Sequence, residues 1–124
     1  MDVLLVEDDP QNQQTLKRAI ESEGHAVTVA ENGLEAFAQA QQRDFDAIVC
    51  DIRLPFMNGI EFVERLSEEN PALANRVLYI TAYADDPDVR AFLERTARPF
   101  LPKPFDTAFF LSVIRDIAAG KHHG

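Results

Sequence analysis

The stretch that decides the fold is "VLLVEDDP", residues 3–10. Four apolar residues run straight into three acids and a proline. An apolar run without polar alternation fits a strand buried on both faces, as in a parallel sheet covered by helices. Asp9 followed by Pro10 reads as a helix start, with the aspartate as N-cap and the proline at the first helical position. A buried strand that passes directly into a helix opens a β–α unit. Glu7 and Asp8 are left at the carboxyl end of the strand, with no basic residue among the acids. Crowded carboxylates raise one another's pKa unless a cation offsets them.

Four more apolar runs follow: "AVTVA" (26–30), "AIVC" (47–50), "VLYIT" (77–81) and "FL" (100–101). Helical patterns separate them. The first helix is expected to end near Glu23, with Gly24 as its stop, and presents Leu16, Ala19 and Ile20. Asn32 and Glu35 resemble a capping box for a second helix to about Gln42. Asn58 and Glu61 repeat it for a third, carrying Ile60, Val63 and Leu66. Asp86 and Pro87 start a fourth, carrying Val89, Phe92 and Leu93, and Asp106 caps a fifth that runs to about Ala119. In that last helix Phe110, Val113, Ile114 and Ile117 form the core stripe. Leu111 points about 110° from its centre at about 100° per residue, as a single exposed apolar side chain or a partner contact.

Five alternations of strand and helix predict an α/β fold, a parallel sheet joined by right-handed crossovers with helices on both faces. The 124 residues fit one domain, 1–124, with a core over 3–119 and a tail over 120–124. Ligand sites in such sheets lie beyond the carboxyl ends of the strands. The polar residues found there are Glu7 and Asp8, Asp51, Thr81 and Lys103.

Bulk properties remove several function classes. The formal net charge of −9 disfavours nucleic-acid backbones and anionic membranes as partners. Cys50, the one cysteine, permits no internal disulfide and reads as a small buried hydrophobe. No apolar run approaches a transmembrane length and no signal-peptide pattern opens the chain, so the expected location is cytoplasmic. Of the three histidines, His25, His122 and His123, the last two belong to the tail rather than to a metal site.

Three carboxylates at one sheet edge suit a hard divalent cation with oxygen ligands, Mg2+ or Mn2+. Such a site expects a phosphoryl ligand, which Lys103 and Thr81 are equipped to bind. Asp51 would then be an acceptor nucleophile, since carboxylates form aspartyl-phosphates. Taken singly each residue has a plainer reading, as cap, strand residue or solvated lysine, and Asp9 takes the cap. Their common location at one edge favours a site.

With these residues assembled, the chain resembles the receiver domain of two-component response regulators over residues 3 to 119. "VLLVEDD" is similar to the acidic-pair strand, and "DIRLPFMNG" to the phosphoacceptor loop, with Asp51 as acceptor, Pro55 four residues on and Gly59 eight residues on. "YITAY" resembles the switch segment, with Thr81 followed by the small Ala82. "FLPKPF" resembles the segment in which Lys103 precedes Pro104 at a cis-proline junction, with Phe100 as the switch aromatic. Thirty residues separate Asp51 from Thr81, and twenty-two separate Thr81 from Lys103.

The resemblance implies a flavodoxin-like doubly wound (βα)5 fold with strand order 2-1-3-4-5. It implies phosphoryl transfer from a phosphohistidine on a sensor histidine kinase or histidine phosphotransfer protein to Asp51. Asp8, Asp51 and the Arg53 backbone carbonyl would ligate Mg2+ (or Mn2+), with Glu7 acting largely through water. Thr81, Ala82 and Lys103 would bind the phosphoryl oxygens. Thr81 and Phe100 would then move and change the face made by the fourth helix, fifth strand and fifth helix. Output would pass to a downstream protein or a fused domain, and a phosphorylation-dependent dimer is compatible with it. The module is not an enzyme in this reading, although it takes part in its own phosphorylation and dephosphorylation.

Some positions depart from the family's usual pattern. Glu7 stands where aspartate is commoner, Asn58 where aspartate is frequent, and Phe100 lacks a phenol hydroxyl. "ERTARPF" resembles the approach to the fifth strand in receivers attached to sensor histidine kinases. Arg53 and Tyr83 occupy positions that influence dephosphorylation rate in the family. Among rival readings, a pseudo-receiver conflicts with the intact set of Glu7, Asp8, Asp51, Thr81 and Lys103. An aspartate-nucleophile phosphatase would place a second aspartate where Arg53 stands, and a flavin carrier would not have an acidic first loop.

Overall fold

The computed structural model of the protein describes residues 1–53 and 57–120; Pro55, His122 and His123 lie outside the described residues. Five strands, β1 (Asp2–Val6), β2 (Ala26–Ala30), β3 (Ala47–Asp51), β4 (Val77–Thr81) and β5 (Phe100–Pro102), form one sheet. All neighbours pair in parallel, in the order β2-β1-β3-β4-β5. The helices are α1 (Pro10–Glu21), α2 (Gly33–Gln42), α3 (Gly59–Glu69), α4 (Pro71–Ala74), α5 (Pro87–Thr96) and α6 (Thr107–Ala118). This is the flavodoxin-like order expected from the resemblance.

Local chemistry explains the helix starts. The side chains of Asp9, Asn32, Asn58, Asp86 and Asp106 each accept a hydrogen bond from the first turn of their helix. Such caps satisfy donors that the helix itself cannot, at about 1 kcal/mol each. The Asn32 cap accepts from the Glu35 N–H at 2.8 Å, but the Glu35 carboxylate returns to the N–H of Glu31 rather than of Asn32.

Several boundaries differ from the sequence expectation, β3 among them, which extends to Asp51. A sixth helix, the single turn α4, follows α3 directly and is capped by Asn70, with Pro71 at its start. The first helix ends at Glu21 rather than Glu23, with Ser22 as C-cap and Gly24 in the left-handed region at φ 86°. β1 begins at Asp2, and β5 extends to Pro102. Leu111 is half-buried and packs against the core cluster that α6 shares with α1 and the sheet, rather than standing exposed. The exposed apolar residue of α6 is Phe109, which is 51% exposed.

The sheet divides the core in two. On one side Leu4, Val6, Ile48, Cys50 and Tyr79 meet α2, α3, α4 and α5. On the other Val3, Leu5, Val49, Leu78 and Ile80 meet α1 and α6. Side chains alternate across a strand, so each apolar run serves both layers, as the unbroken pattern requires. Each fully buried Leu, Ile or Val contributes about 1.5–3 kcal/mol.

Two details on the α5 side run against this economy. Tyr79 is fully buried against Phe92 in an edge-on contact of 5.5 Å between centroids. Its hydroxyl, among the described residues, has no hydrogen-bond partner. At the end of α5, Ala97 adopts φ 52°, a conformation that glycine takes freely and alanine takes at a cost of about 1 kcal/mol.

Candidate functional site

Strand order brings the polar strand ends together. β3 is the central strand, and Asp51 is its last residue. Val6 of β1 pairs with Cys50, so Glu7 follows beside Asp51. On the other flank Asp51 pairs with Ile80, and Thr81 pairs with Pro102, so Thr81 and Lys103 complete the same edge. Every candidate comes from a position where an apolar run stops.

The geometry is that of an acidic cleft with an internal counter-charge. One carboxylate oxygen from each of Glu7, Asp8 and Asp51 lies within 4.8 Å of the others. The Lys103 ammonium donates to Glu7 Oε1 at 2.8 Å and to Asp51 Oδ2 at 2.8 Å. Glu7 is fully buried, Asp51 is 7% exposed, and Asp8 faces solvent. The second oxygens are also engaged: Glu7 Oε2 accepts from the Asp8 N–H at 3.1 Å, and Asp51 Oδ1 from the Arg53 N–H at 3.1 Å.

Burial holds the Glu7 carboxyl above its ordinary range, and the neighbouring Asp51 adds to this while Lys103 opposes it. Burial alone would lower the Lys103 ammonium, but its hydrogen bonds to Asp51 and Glu7 outweigh burial and raise it. The cluster is thus made tolerable by Lys103 before any cation is considered. Three hard oxygen donors of converging negative charge fit Mg2+ by their chemistry.

Close backbone packing holds the ends of the connection between β3 and α3. The Gly59 N–H donates to the Ile52 carbonyl at 2.9 Å, closing the loop from β3 into α3. A Cβ on Gly59 would lie 2.3 Å from the Asp51 carbonyl oxygen. The start of α2 reaches the same loop, where the Gly33 N–H donates to the Met57 carbonyl at 2.9 Å. A Cβ there would lie 2.1 Å from that oxygen. Glycine is required at both places because backbone meets backbone.

The β4 side is built differently. The Thr81 side chain is fully buried, and its Oγ1 accepts from the Tyr83 N–H at 2.9 Å, leaving its proton available to donate. A cavity of about 500 Å3 opens beside it, lined by Thr81, Ala82, Leu93, Phe100, Pro102 and Lys103 among others. The Phe100 ring is 41% exposed. The Lys103–Pro104 peptide is cis, as the resemblance implied.

All the candidates therefore converge on one edge: Glu7, Asp8, Asp51, Arg53, Thr81, Ala82 and Lys103, with Phe100 at the rim of the adjoining cavity. Nothing in the sequence signals that Lys103 pairs with both acids, or that Gly33 anchors the connection from β3 to α3. Asp86 reads from the sequence only as a helix cap. Its second carboxylate oxygen accepts from Arg53 Nη2 at 2.9 Å, and the Arg53 guanidinium lies 4.2 Å from the Tyr83 ring centroid. These contacts join residues more than twenty positions apart, and no local pattern signals them.

A doubly wound sheet with an acidic cleft at the end of its central strand defines a class, and comparison with known proteins identifies it. Residues 3–115 match the family described as the response regulator receiver domain, and the chain belongs to that family. It is 31% identical over 118 residues to protein PilH of Pseudomonas aeruginosa, covering 95% of this chain and 98% of that one. It is 34% identical over 106 residues to the transcriptional regulatory protein ZraR of Klebsiella oxytoca, covering 86% of this chain but only 24% of that longer protein. Among solved structures, it resembles the receiver domain of a Pseudomonas aeruginosa sensor histidine kinase determined with a magnesium ion in the active-site cleft. That likeness has a TM-score of 0.84 and 28% identity, and covers 95% of this chain and 97% of the other. No helix among the described residues is long and apolar enough to cross a membrane.

Proposed function

We propose that this receiver domain is a phosphorylatable switch in which Asp51 accepts a phosphoryl group from a phosphohistidine on a sensor histidine kinase or histidine phosphotransfer partner. The observation that carries this reading is the Asp51 carboxylate itself. It ends the central strand, within 4.8 Å of two further acids, and is held by Lys103 on one oxygen and by the Arg53 N–H on the other.

The step is an in-line displacement. An Asp51 oxygen bonds to phosphorus as the bond to the histidine nitrogen breaks, and the electron pair leaves with the imidazole. Lys103, already poised on Asp51 Oδ2, offsets charge on the transferring group, and the Thr81 hydroxyl and Ala82 N–H are the donors on the far side. Asp8, Asp51 and the Arg53 carbonyl, with Glu7, would hold Mg2+ or Mn2+, which when bound neutralises the phosphoryl oxygens. Thr81 drawn toward the phosphoryl group vacates space beside the 500 Å3 cavity, and Phe100 turns into it. The exposed face of α5, β5 and α6 changes with that ring. The chain is then a phosphoacceptor that takes part in its own turnover. Its output passes through a partner protein or an attached domain.

The test is intact-mass measurement after incubation with Mg2+ and a small phosphodonor, beside Asp51→Asn. The parent is expected to gain about 80 daltons, one phosphoryl group, and the variant nothing. An unlabelled parent, with a known receiver labelled in parallel, would favour a pseudo-receiver instead.

A further inference from the structure

The Asp86 carboxylate serves two elements at once. Its Oδ1 caps α5, accepting from the N–H of Asp88 at 2.9 Å and of Val89 at 3.3 Å. Its Oδ2 is given to the Arg53 guanidinium at 2.9 Å. The same guanidinium stacks over Tyr83, which is 48% exposed. Arg53 begins the loop after Asp51, and its own N–H is bonded to Asp51 Oδ1. One side chain thus spans from the end of β3 to the loop between β4 and α5, held there by a carboxylate and a ring. Thr81 meets this bridge only through its hydroxyl, which accepts from the Tyr83 N–H at 2.9 Å.

We propose that Asp86 is a positioning residue for the phosphoacceptor site, holding Arg53 across the gap between the β3 and β4 loops so that it limits water access to phosphorylated Asp51. This role rests on the phosphoacceptor reading above. The step it slows is hydrolysis: a water oxygen bonds to phosphorus, and the bond to the Asp51 oxygen breaks with its electron pair. Inorganic phosphate leaves as the dihydrogen anion, carrying the water's oxygen and both of its protons, and the carboxylate is regenerated. A tethered guanidinium on a ring leaves less room for that water than a mobile one does. The Arg53 and Asp86 side chains are 52% and 32% exposed, so the effect is that of a partly solvated ion pair.

Because cap and tether use different oxygens, the two jobs can be separated. Asparagine caps helices as well as aspartate does, through its amide oxygen, but offers no negative charge to Arg53. The experiment measures the lifetime of the phosphoryl adduct by intact mass after removal of a small phosphodonor, with Mg2+ present throughout. The proteins compared are the parent, Asp86→Asn, Arg53→Ala, the double variant and Asp88→Asn. Asp86→Asn and Arg53→Ala are each expected to shorten the lifetime roughly two- to fivefold, and the double variant no more than either. Asp88→Asn removes the same charge two residues on, outside the bridge, and should leave the lifetime unchanged. The thermal midpoint of Asp86→Asn should match the parent, since the cap is retained.

An unchanged lifetime in Asp86→Asn overturns the role. So do an equal effect of Asp88→Asn, which would indicate the general field, and effects of Arg53 and Asp86 that simply multiply. An unlabelled parent overturns the phosphoacceptor reading and this role together. A labelled parent with an unaffected Asp86→Asn overturns this role alone.

Discussion

On the β1–β3 side of the cleft, Glu7 and Asp51 are buried and both paired with the partly exposed Lys103, and every carboxylate oxygen of the two acids has a partner. On the β4–β5 side, a cavity of about 500 Å3 lies beside a buried threonine and an aromatic ring that is 41% exposed. One half is closed around its charges, and the other keeps room. A site that must bind charged groups in a fixed arrangement gains from preorganised partners that need no rearrangement at the moment of reaction. A part that must change shape needs a second place for its side chains to go. The contrast separates a half fixed by paired charges from a half with room for its side chains to move.

The contrast can be broken most forcefully at Lys103. Lys103→Ala leaves Glu7 and Asp51 buried beside each other without their counter-charge, at a cost of about 3 kcal/mol in metal-free protein. Urea unfolding in a chelator measures it, and an unchanged midpoint would mean that the paired half is not held by its charges. Gly33→Ala tests the anchoring of the β3–α3 connection from α2. The Met57 carbonyl must move away from the new Cβ, with an expected loss of about 2 kcal/mol and weaker Mg2+ binding in a titration. A variant of parental stability and affinity would show that the loop does not depend on this contact.

A smaller effect is expected at Glu7, with a sign that follows from linkage. Its folded pKa is raised above the ordinary 4.5, by burial first and Asp51 next. A group raised in this way contributes stability that is fully present below its unfolded value and is lost as pH rises through its folded value. Glu7→Gln has no such loss, so without divalent ions its unfolding midpoint should exceed the parent's at pH 7 and approach it near pH 4. A lower midpoint at pH 7 would show that pairing with Lys103 outweighs burial. The smallest effect belongs to the open half. Phe100→Ala removes a ring that is already half in solvent, and should shift stability by about 0.5 kcal/mol or less. A loss several times larger would place that ring in the core.

The strands and five of the helices are legible because their signals are local. Period, run length and capping residue all lie within the element, and Asp9, Asn32, Asn58, Asp86 and Asp106 all cap where expected. α4 carries the same kind of signal in Asn70–Pro71, but a four-residue turn fused to the end of α3 is hidden by the pattern that precedes it. Leu111 shows the limit of an ideal helical wheel. Its angle was readable, but its packing against the core depends on how α6 sits on the sheet, which no local pattern gives. The convergence of the candidate residues was legible because strand ends in a parallel sheet share an edge. The pairing of Lys103 with Glu7, 96 residues away, and of Arg53 with Asp86, 33 residues away, was not. Those contacts depend on side-chain reach across the assembled edge.

The position of Asp51 has a further consequence. β1, β3 and β4 are hydrogen-bonded neighbours, and their register alone sets Glu7, Asp51 and Thr81 beside one another. Substitutions on the outward faces of the helices leave that ladder intact. The outer surface can therefore be rewritten while the cluster at the strand ends keeps its geometry. In such an architecture, what the molecule does and whom it addresses are separable traits, free to be altered one at a time.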